Sequence, residues 1–294
     1  MFFNQWSPHI NEFYTLLIIF TSITFFILAS YYTLNKELIS PELNRRLVHV
    51  AIGIIISFSP YMFNYKFYPS LLAIIFICIN TIAFKTKAFE GIHSQKRKSY
   101  GTIYFPLSYL IIISFFWEHS YFIMFSLLIL TFSDPLAAQI GSKKKSLWKF
   151  KIWHDYKTIE GTIAFFISNL LILAIGTYYF MDHNLPYLLG FVFITSVFTT
   201  ISEITSKMGT DNLSIPLVSI LIMIGLNNQF SENPNNIHIA NTVFLIIIMC
   251  IILFFTYRIK SLSPSGYFGS IIMGTIIILF GKLFHFGLLS PLIS

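Results

Sequence analysis

The chain has 294 residues, a mean hydropathy of +0.73, 55% hydrophobic residues and 11% charged ones. A soluble domain carries about 25% charged residues, so a soluble fold is excluded: too little polar surface remains to cover a core. In so apolar a chain, the net charge of +7 points to loops that face anionic lipid heads or nucleotide phosphates, and away from nucleic acid.

Ten apolar spans follow in chain order, at about 13–34, 47–63, 68–84, 100–117, 121–140, 160–180, 185–206, 213–226, 239–257 and 267–290. A helix needs about 20 residues to cross the hydrocarbon, so the shorter spans predict half-length or broken helices. The expected fold is all-α: a polytopic membrane protein of about ten helices, forming a single domain over residues 1–294. Of the 19 Lys and Arg, all but Lys66 and Lys282 fall in alternate gaps. These gaps are 35–46, 85–99, 141–159, the turn at Lys207, and the stretch holding Arg258 and Lys260. The positive-inside rule then makes these loops cytoplasmic and both termini external, in the inner membrane of a bacterium. The first twelve residues carry no Lys or Arg, so no cleavable signal peptide is expected. Cys78 and Cys250 both lie in apolar spans and read as packing residues, without a disulfide or zinc framework.

Pro106, Pro135 and Pro216 interrupt apolar spans near the basic loops. An interior proline removes a backbone donor, and at membrane depth the freed carbonyl needs protein or a wet cavity. Three such positions at one end predict kinks or breaks around a polar cavity there.

Asp134 is the sharpest chemical candidate. It lies in Thr131-Phe132-Ser133-Asp134-Pro135-Leu136-Ala137-Ala138-Gln139-Ile140-Gly141, near the inner end of its span. An intramembrane carboxylate is costly and marks function by default; the plain alternative is a helix cap before proline. Gly141 and the two alanines permit close approach of a nucleotide or of another helix. Lys143, Lys144 and Lys145 satisfy the positive-inside rule without any ligand. Lys157-Thr158-Ile159-Glu160-Gly161-Thr162 is more specific, because a helix N-terminus with an adjacent lysine suits phosphate. Glu160 also reads as a first-turn helix stabiliser. Glu203 and Lys207 are spaced for a helical ion pair, and Asp211 for a cap. Alternatively Glu203 and Asp211 join Asp134 as hard oxygen ligands for Mg²⁺. Arg45, Arg46 and His49 open the second span and Arg97 and Lys98 the fourth, as lipid-head anchors or phosphate contacts.

Taken together, these motifs resemble the dolichol kinase, phytol kinase and CTP-dependent diacylglycerol kinase family. The resemblance rests on Arg45-Arg46-x-x-His49, Tyr100-Gly101-Thr102 with Phe105-Pro106, and Ser133-Asp134-Pro135-x-Ala137-x-x-x-Gly141. It continues through Lys157-Thr158-x-Glu160-Gly161-Thr162 and Asp211-Asn212-Leu213-x-Ile215-Pro216, so a kinase-like catalytic region spans about 42–220. The resemblance implies transfer of the terminal phosphate of a nucleoside triphosphate, usually CTP, to a membrane lipid alcohol such as a polyprenol, phytol or diacylglycerol. It implies Mg²⁺ on Asp134, Glu203 and Asp211, with Asp134 or Asp211 as proton acceptor. It implies nucleotide contacts from Lys157, Thr158, Glu160, Gly161, Arg97, Lys98, Gly141 and Lys143, and lipid or phosphate contacts from Arg45, Arg46 and His49. The Asp134 and Lys157 blocks are also similar to those of CDP-diacylglycerol synthases, which makes a cytidylyltransferase the enzyme alternative. A transporter of an anionic substrate is the alternative from another class.

Overall fold

The computed structural model describes residues 11–86, 100–142, 148–152, 155–182, 185–231 and 263–289. The expected span 239–257 lies outside them, as do Arg97, Lys98, Lys143 and Cys250. In chain order the elements are α1 (Glu12–Asn35), α2 (Pro41–Ser57), the single turn α3 (Ser59–Met62), α4 (Phe67–Thr86) and α5 (Gly101–Phe116). There follow α6 (Ser120–Leu128), a π-helical turn (Ile129–Ser133) and α7 (Asp134–Gly141). Next come β1 (Lys149–Ile152), β2 (Asp155–Thr158), α8 (Ile159–Phe180), α9 (Leu185–Thr205), α10 (Asp211–Ser231) and α11 (Pro264–Leu289). Six of these helical stretches are long and apolar enough to cross a membrane. The protein is an all-α polytopic membrane protein, and the basic 142–158 segment adds one antiparallel hairpin, β1–β2.

The rod formed by α6, the π turn and α7 is the centre of the bundle. Phe122, Ile123, Phe125, Leu127, Ile129 and Leu130 are almost wholly buried, against α2, α5, α8 and α10. Glycines set how closely its neighbours approach. A Cβ at Gly53 on α2 would lie 2.3 Å from Thr131 Oγ1, and one at Gly176 on α8 would lie 2.4 Å from the Phe125 ring. The Thr131 hydroxyl is held by Leu127 O at 2.7 Å and cannot yield freely. Gly53→Ala is therefore expected to cost about 1–3 kcal/mol by overpacking, read as a lower melting temperature in detergent. Gly190→Ala has open space around it and is the control, with no loss expected.

The polar contacts sort the connections into two ends. At one end, Glu12 Oε1 accepts from Asn64 N, Lys66 Nζ donates to Ser114 O, and Trp117 Nε1 donates to Asn64 O. At the other end, the start of α2 meets α7, β2 meets the end of α9, and Tyr100 N donates to Met208 O at 3.2 Å.

Three expectations change. The second span starts earlier, at Pro41, because Ser40 caps Leu43 N and Pro41 takes the first turn; Arg45, Arg46 and His49 lie inside α2 and do not open it. Helices α5 and α10 run unbroken through Pro106 and Pro216. At Pro106 the carbonyl four residues back, Thr102 O, accepts Asn80 Nδ2 at 3.0 Å in place of the missing amide. Only Pro135 coincides with a change of helix type. Finally, Cys78 is exposed on α4 and faces outward from the bundle.

Candidate functional site at the basic end of the bundle

Asp134 follows directly on the π turn. Backbone angles are right-handed helical at both Ser133 (−72°, −38°) and Asp134 (−65°, −50°). The helix therefore does not restart, and Asp134 is not the cap that its sequence allowed. The π turn ends against Pro135, which has no N–H to offer the carbonyls behind it. His49 Nε2 donates to one of these, Leu130 O, at 3.2 Å. Arg46 donates to Ala138 O at 3.3 Å and to the side chain of Gln139. In this state His49 and Arg46 brace the segment that carries Asp134.

Asp134 sits inside the bundle yet keeps some accessible surface. Asp211, Glu203, Lys157 and Arg45 all lie within electrostatic range of it. The fold thus gathers residues from α2, α7, β2, α9 and α10, widely spaced in sequence, around one carboxylate.

The hairpin explains how Lys157 arrives there. Phe150 pairs with Lys157 and Lys151 with Tyr156, so alternation puts Lys157 and Phe150 on one face and Lys151 and Tyr156 on the other. Lys151 and Tyr156 form an exposed cation–π pair at 5.8 Å. Lys157 points the other way, donating to Glu203 O at 2.8 Å and forming an ion pair with the Glu203 carboxylate. The side chains are 21% and 9% exposed. Glu203 therefore pairs across to β2; α9 ends at Thr205, before the expected helical partner Lys207.

Thr158 caps α8 by accepting from Gly161 N at 3.2 Å. Gly141 and Gly161 are contact points between α7 and α8. A Cβ at Gly141 would lie 2.6 Å from Thr158 Oγ1, and one at Gly161 would lie 3.0 Å from Ala137 O. Glu160 occupies the first turn of α8. Lys157 meets Glu203, Thr158 caps and Gly161 packs, so the block fixes the height of α7, and with it Asp134, against α8.

The last block closes on Tyr100-Gly101. Met208 (φ 51°) and Gly209 (φ 88°) form a left-handed turn, unusual for methionine. Asp211 begins α10 and accepts from Asn212 N at 2.9 Å; Asn212 Nδ2 donates to Gly101 O at 3.0 Å. Two motifs 111 residues apart thus dock on each other.

Among the described residues, no three His, Cys, Asp or Glu side chains meet closely enough to hold a metal ion by themselves. Mg²⁺ commonly takes only one or two carboxylates and completes its shell with water and substrate phosphates. With Glu203 engaged by Lys157, Asp134 and Asp211 are the donors that fit that chemistry.

Sequence reasoning missed the buried polar residues between helices. Asn44 donates to Ser30 Oγ at 2.6 Å, tying α2 to α1. Ser133 Oγ donates to Ser168 Oγ at 2.9 Å, and Asn169 Nδ2 to Thr199 Oγ1 at 2.9 Å. A lone amide in an apolar run was the available signal for Asn169.

No protein-family model matches the chain, and no solved structure matches it. Curated relatives do. The chain is 25% identical over 202 residues to the phytol kinase of Synechocystis sp., covering 64% of this chain and 82% of that one. It is 28% identical over 201 residues to an uncharacterised protein of Methanocaldococcus jannaschii, covering 65% and 95%. It is 25% identical over 216 residues to a probable chloroplastic phytol kinase of Glycine max, covering 68% and 69%. The resemblance carried by the motifs is therefore matched by curated relatives named phytol kinase or probable phytol kinase, to which the chain is similar over about two thirds of its length.

Proposed function

We propose that this protein is a lipid kinase that transfers the terminal phosphate of a nucleoside triphosphate, CTP by its resemblance, to a membrane lipid alcohol of the phytol or polyprenol type. The observation that supports this most is Asp134: an accessible carboxylate inside a membrane bundle, with Asp211, Glu203, Lys157 and Arg45 in electrostatic range. Phosphoryl transfer needs positioning and charge balance more than covalent chemistry, and this set offers both signs of charge beside a hydrophobic phase.

In this reading Lys157 meets the triphosphate, and Arg97, Lys98 and Lys143 add charge from the same basic loops. Asp134 and Asp211 would hold Mg²⁺, which would supply neutralisation of phosphate charge. The lipid hydroxyl oxygen bonds to the γ-phosphorus as the bond to the bridging oxygen breaks. The nucleoside diphosphate leaves, and the hydroxyl proton passes to a carboxylate, Asp134 or Asp211. The basic end faces the cytosol, where nucleotide is available.

CTP labelled separately in the γ-phosphate and in cytidine tests this. The expected result with phytol is γ-label on the lipid, with CDP released. Pyrophosphate release and cytidine on a lipid phosphate would replace the kinase with a cytidylyltransferase.

A further inference from the structure

Most buried hydroxyls in this bundle satisfy themselves on their own helix. Ser57, Ser126 and Thr131 donate to carbonyls three or four residues back. The seam between α8 and α9 is different. Asn169 is wholly buried and lies ten residues into α8, about 15 Å from its start and so near the middle of a hydrocarbon layer about 30 Å thick. Its Nδ2 is held by Thr199 Oγ1, which donates in turn to Thr195 O at 2.8 Å. Its Oδ1 accepts no hydrogen bond from any described residue. Thr195 Oγ1 and Ser196 Oγ, buried on the facing helix, are likewise without partners among the described residues. An amide oxygen can only accept, and at this depth no bulk water reaches it.

The position of this acceptor matters. Ser168, the residue before Asn169, accepts from Ser133, the residue before Asp134. Asn169 is therefore one residue along α8 from the contact with the residue that precedes Asp134. Thr199 Oγ1, which donates to Thr195 O and Ser196 O, accepts from Asn169 Nδ2, and Oδ1 is the end of the amide left over. What fits is a donor carried on an apolar body. A triphosphate does not fit, because no cation stands among these groups. An alcohol on a hydrocarbon chain carries such a donor.

We propose that Asn169, aligned by Thr199, is the residue that recognises the hydroxyl of the lipid alcohol. This inference rests on the lipid-kinase reading above. The contact is made in the bound ground state, so it acts on affinity for the alcohol and on discrimination against a chain that lacks the hydroxyl. A site built to pair a hydroxyl rejects the analogue without it far more strongly than an apolar wall does.

The test compares the full-length protein with Asn169→Leu and Asn169→Ala in detergent. The probes are phytol and phytene, the same hydrocarbon chain without the hydroxyl. Three quantities are read: KM for phytol and for CTP, the inhibition constant of phytene, and the rise in melting temperature that each lipid produces. The expected result is a phytol KM raised about tenfold or more, with CTP KM and phytene binding within about twofold of the parent. The variants should lose the preference of the parent for phytol over phytene in the melting shift. Thr199→Val should show the same pattern more weakly. If Leu does not fold at this position, Ala gives the same readouts with less bulk. An unchanged phytol KM in a folded variant would overturn the proposal, and a lowered melting temperature with it would assign the acceptor to a structural water. Equal loss of phytol and phytene binding would also overturn it, leaving Asn169 as part of the wall. If the parent protein phosphorylates no lipid alcohol, the lipid-kinase reading itself fails.

Discussion

Asp134→Asn is expected to abolish turnover, by roughly 10³-fold or more, while the protein stays folded. Asparagine keeps the size of the side chain and removes its charge. The structure takes away the main reason for a stability loss, since Asp134 is inside a continuous helical path and caps nothing. It also has two acidic neighbours in electrostatic range, Asp211 and Glu203. Removing one of three like charges relieves repulsion, so the melting temperature should hold or rise. A phosphate-bearing, metal-assisted site would lose a ligand and a balancing charge in the same step. The measurement is turnover of the purified variant in detergent beside its melting temperature. Near-normal turnover would remove Asp134 from the mechanism. Lost turnover with a collapsed melting temperature would make it a structural residue.

Lys157→Met is expected to act on the nucleotide first. A hydrogen bond to a charged group contributes about 1.5–3 kcal/mol, so KM for CTP should rise by roughly 10- to 100-fold. The ion pair adds a stability effect. Glu203 is only 9% exposed on its side chain, and the variant would leave it without its cation. Breaking a fully buried pair costs about 3–5 kcal/mol; with Lys157 one-fifth exposed, the loss here should be smaller. Glu203→Gln separates the two effects, because the amide oxygen and the Glu203 carbonyl still accept from Lys157. That variant should keep the melting temperature and change CTP KM far less than Lys157→Met. A Lys157→Met protein with unaltered CTP KM would confine Lys157 to a structural latch between β2 and α9.

The two expectations differ in how much of each was legible from residues alone. Asp134 stood out because a carboxylate next to proline in an apolar run has few ordinary explanations. Lys157 stands out only as part of a block, and nothing in the sequence names Glu203 as its partner. Local spacing favoured Glu203 with Lys207, since residues four apart are neighbours on a helix. The helix ends at Thr205, and the hairpin register turns Lys157 toward Glu203 instead. Neither fact is local: a hairpin of two four-residue strands leaves almost no periodic signal in a segment rich in lysine.

The prolines teach a similar lesson. Pro106 was read as an interruption because its missing donor must be compensated, and the sequence does not say by what. Asn80, on the preceding helix, supplies the replacement at Thr102 O. At Pro135, His49 supplies Leu130 O from α2. His49 and Arg46 were marked for lipid or phosphate; in this structure they hold the backbone that positions Asp134. Gly141 and Gly161, marked for nucleotide, are where α7 and α8 touch.

What the chain determined by itself was the class of protein and which of its connections are basic. Hydropathy needs only composition within a window, and the alternation of lysine and arginine needs only counting between windows; both survive whatever the helices later do. The same local reasoning identified the acidic and basic residues of the candidate site, because charge in an apolar chain is conspicuous. The tertiary structure decided their partners. Which carboxylate meets which lysine, which glycine lies under which threonine, and which amide oxygen is left over at mid-membrane depth all depend on helix packing. Contacts of that kind join residues tens to more than a hundred positions apart, as between Asn212 and Gly101, and side-chain spacing along one helix carries no information about the neighbour it will face.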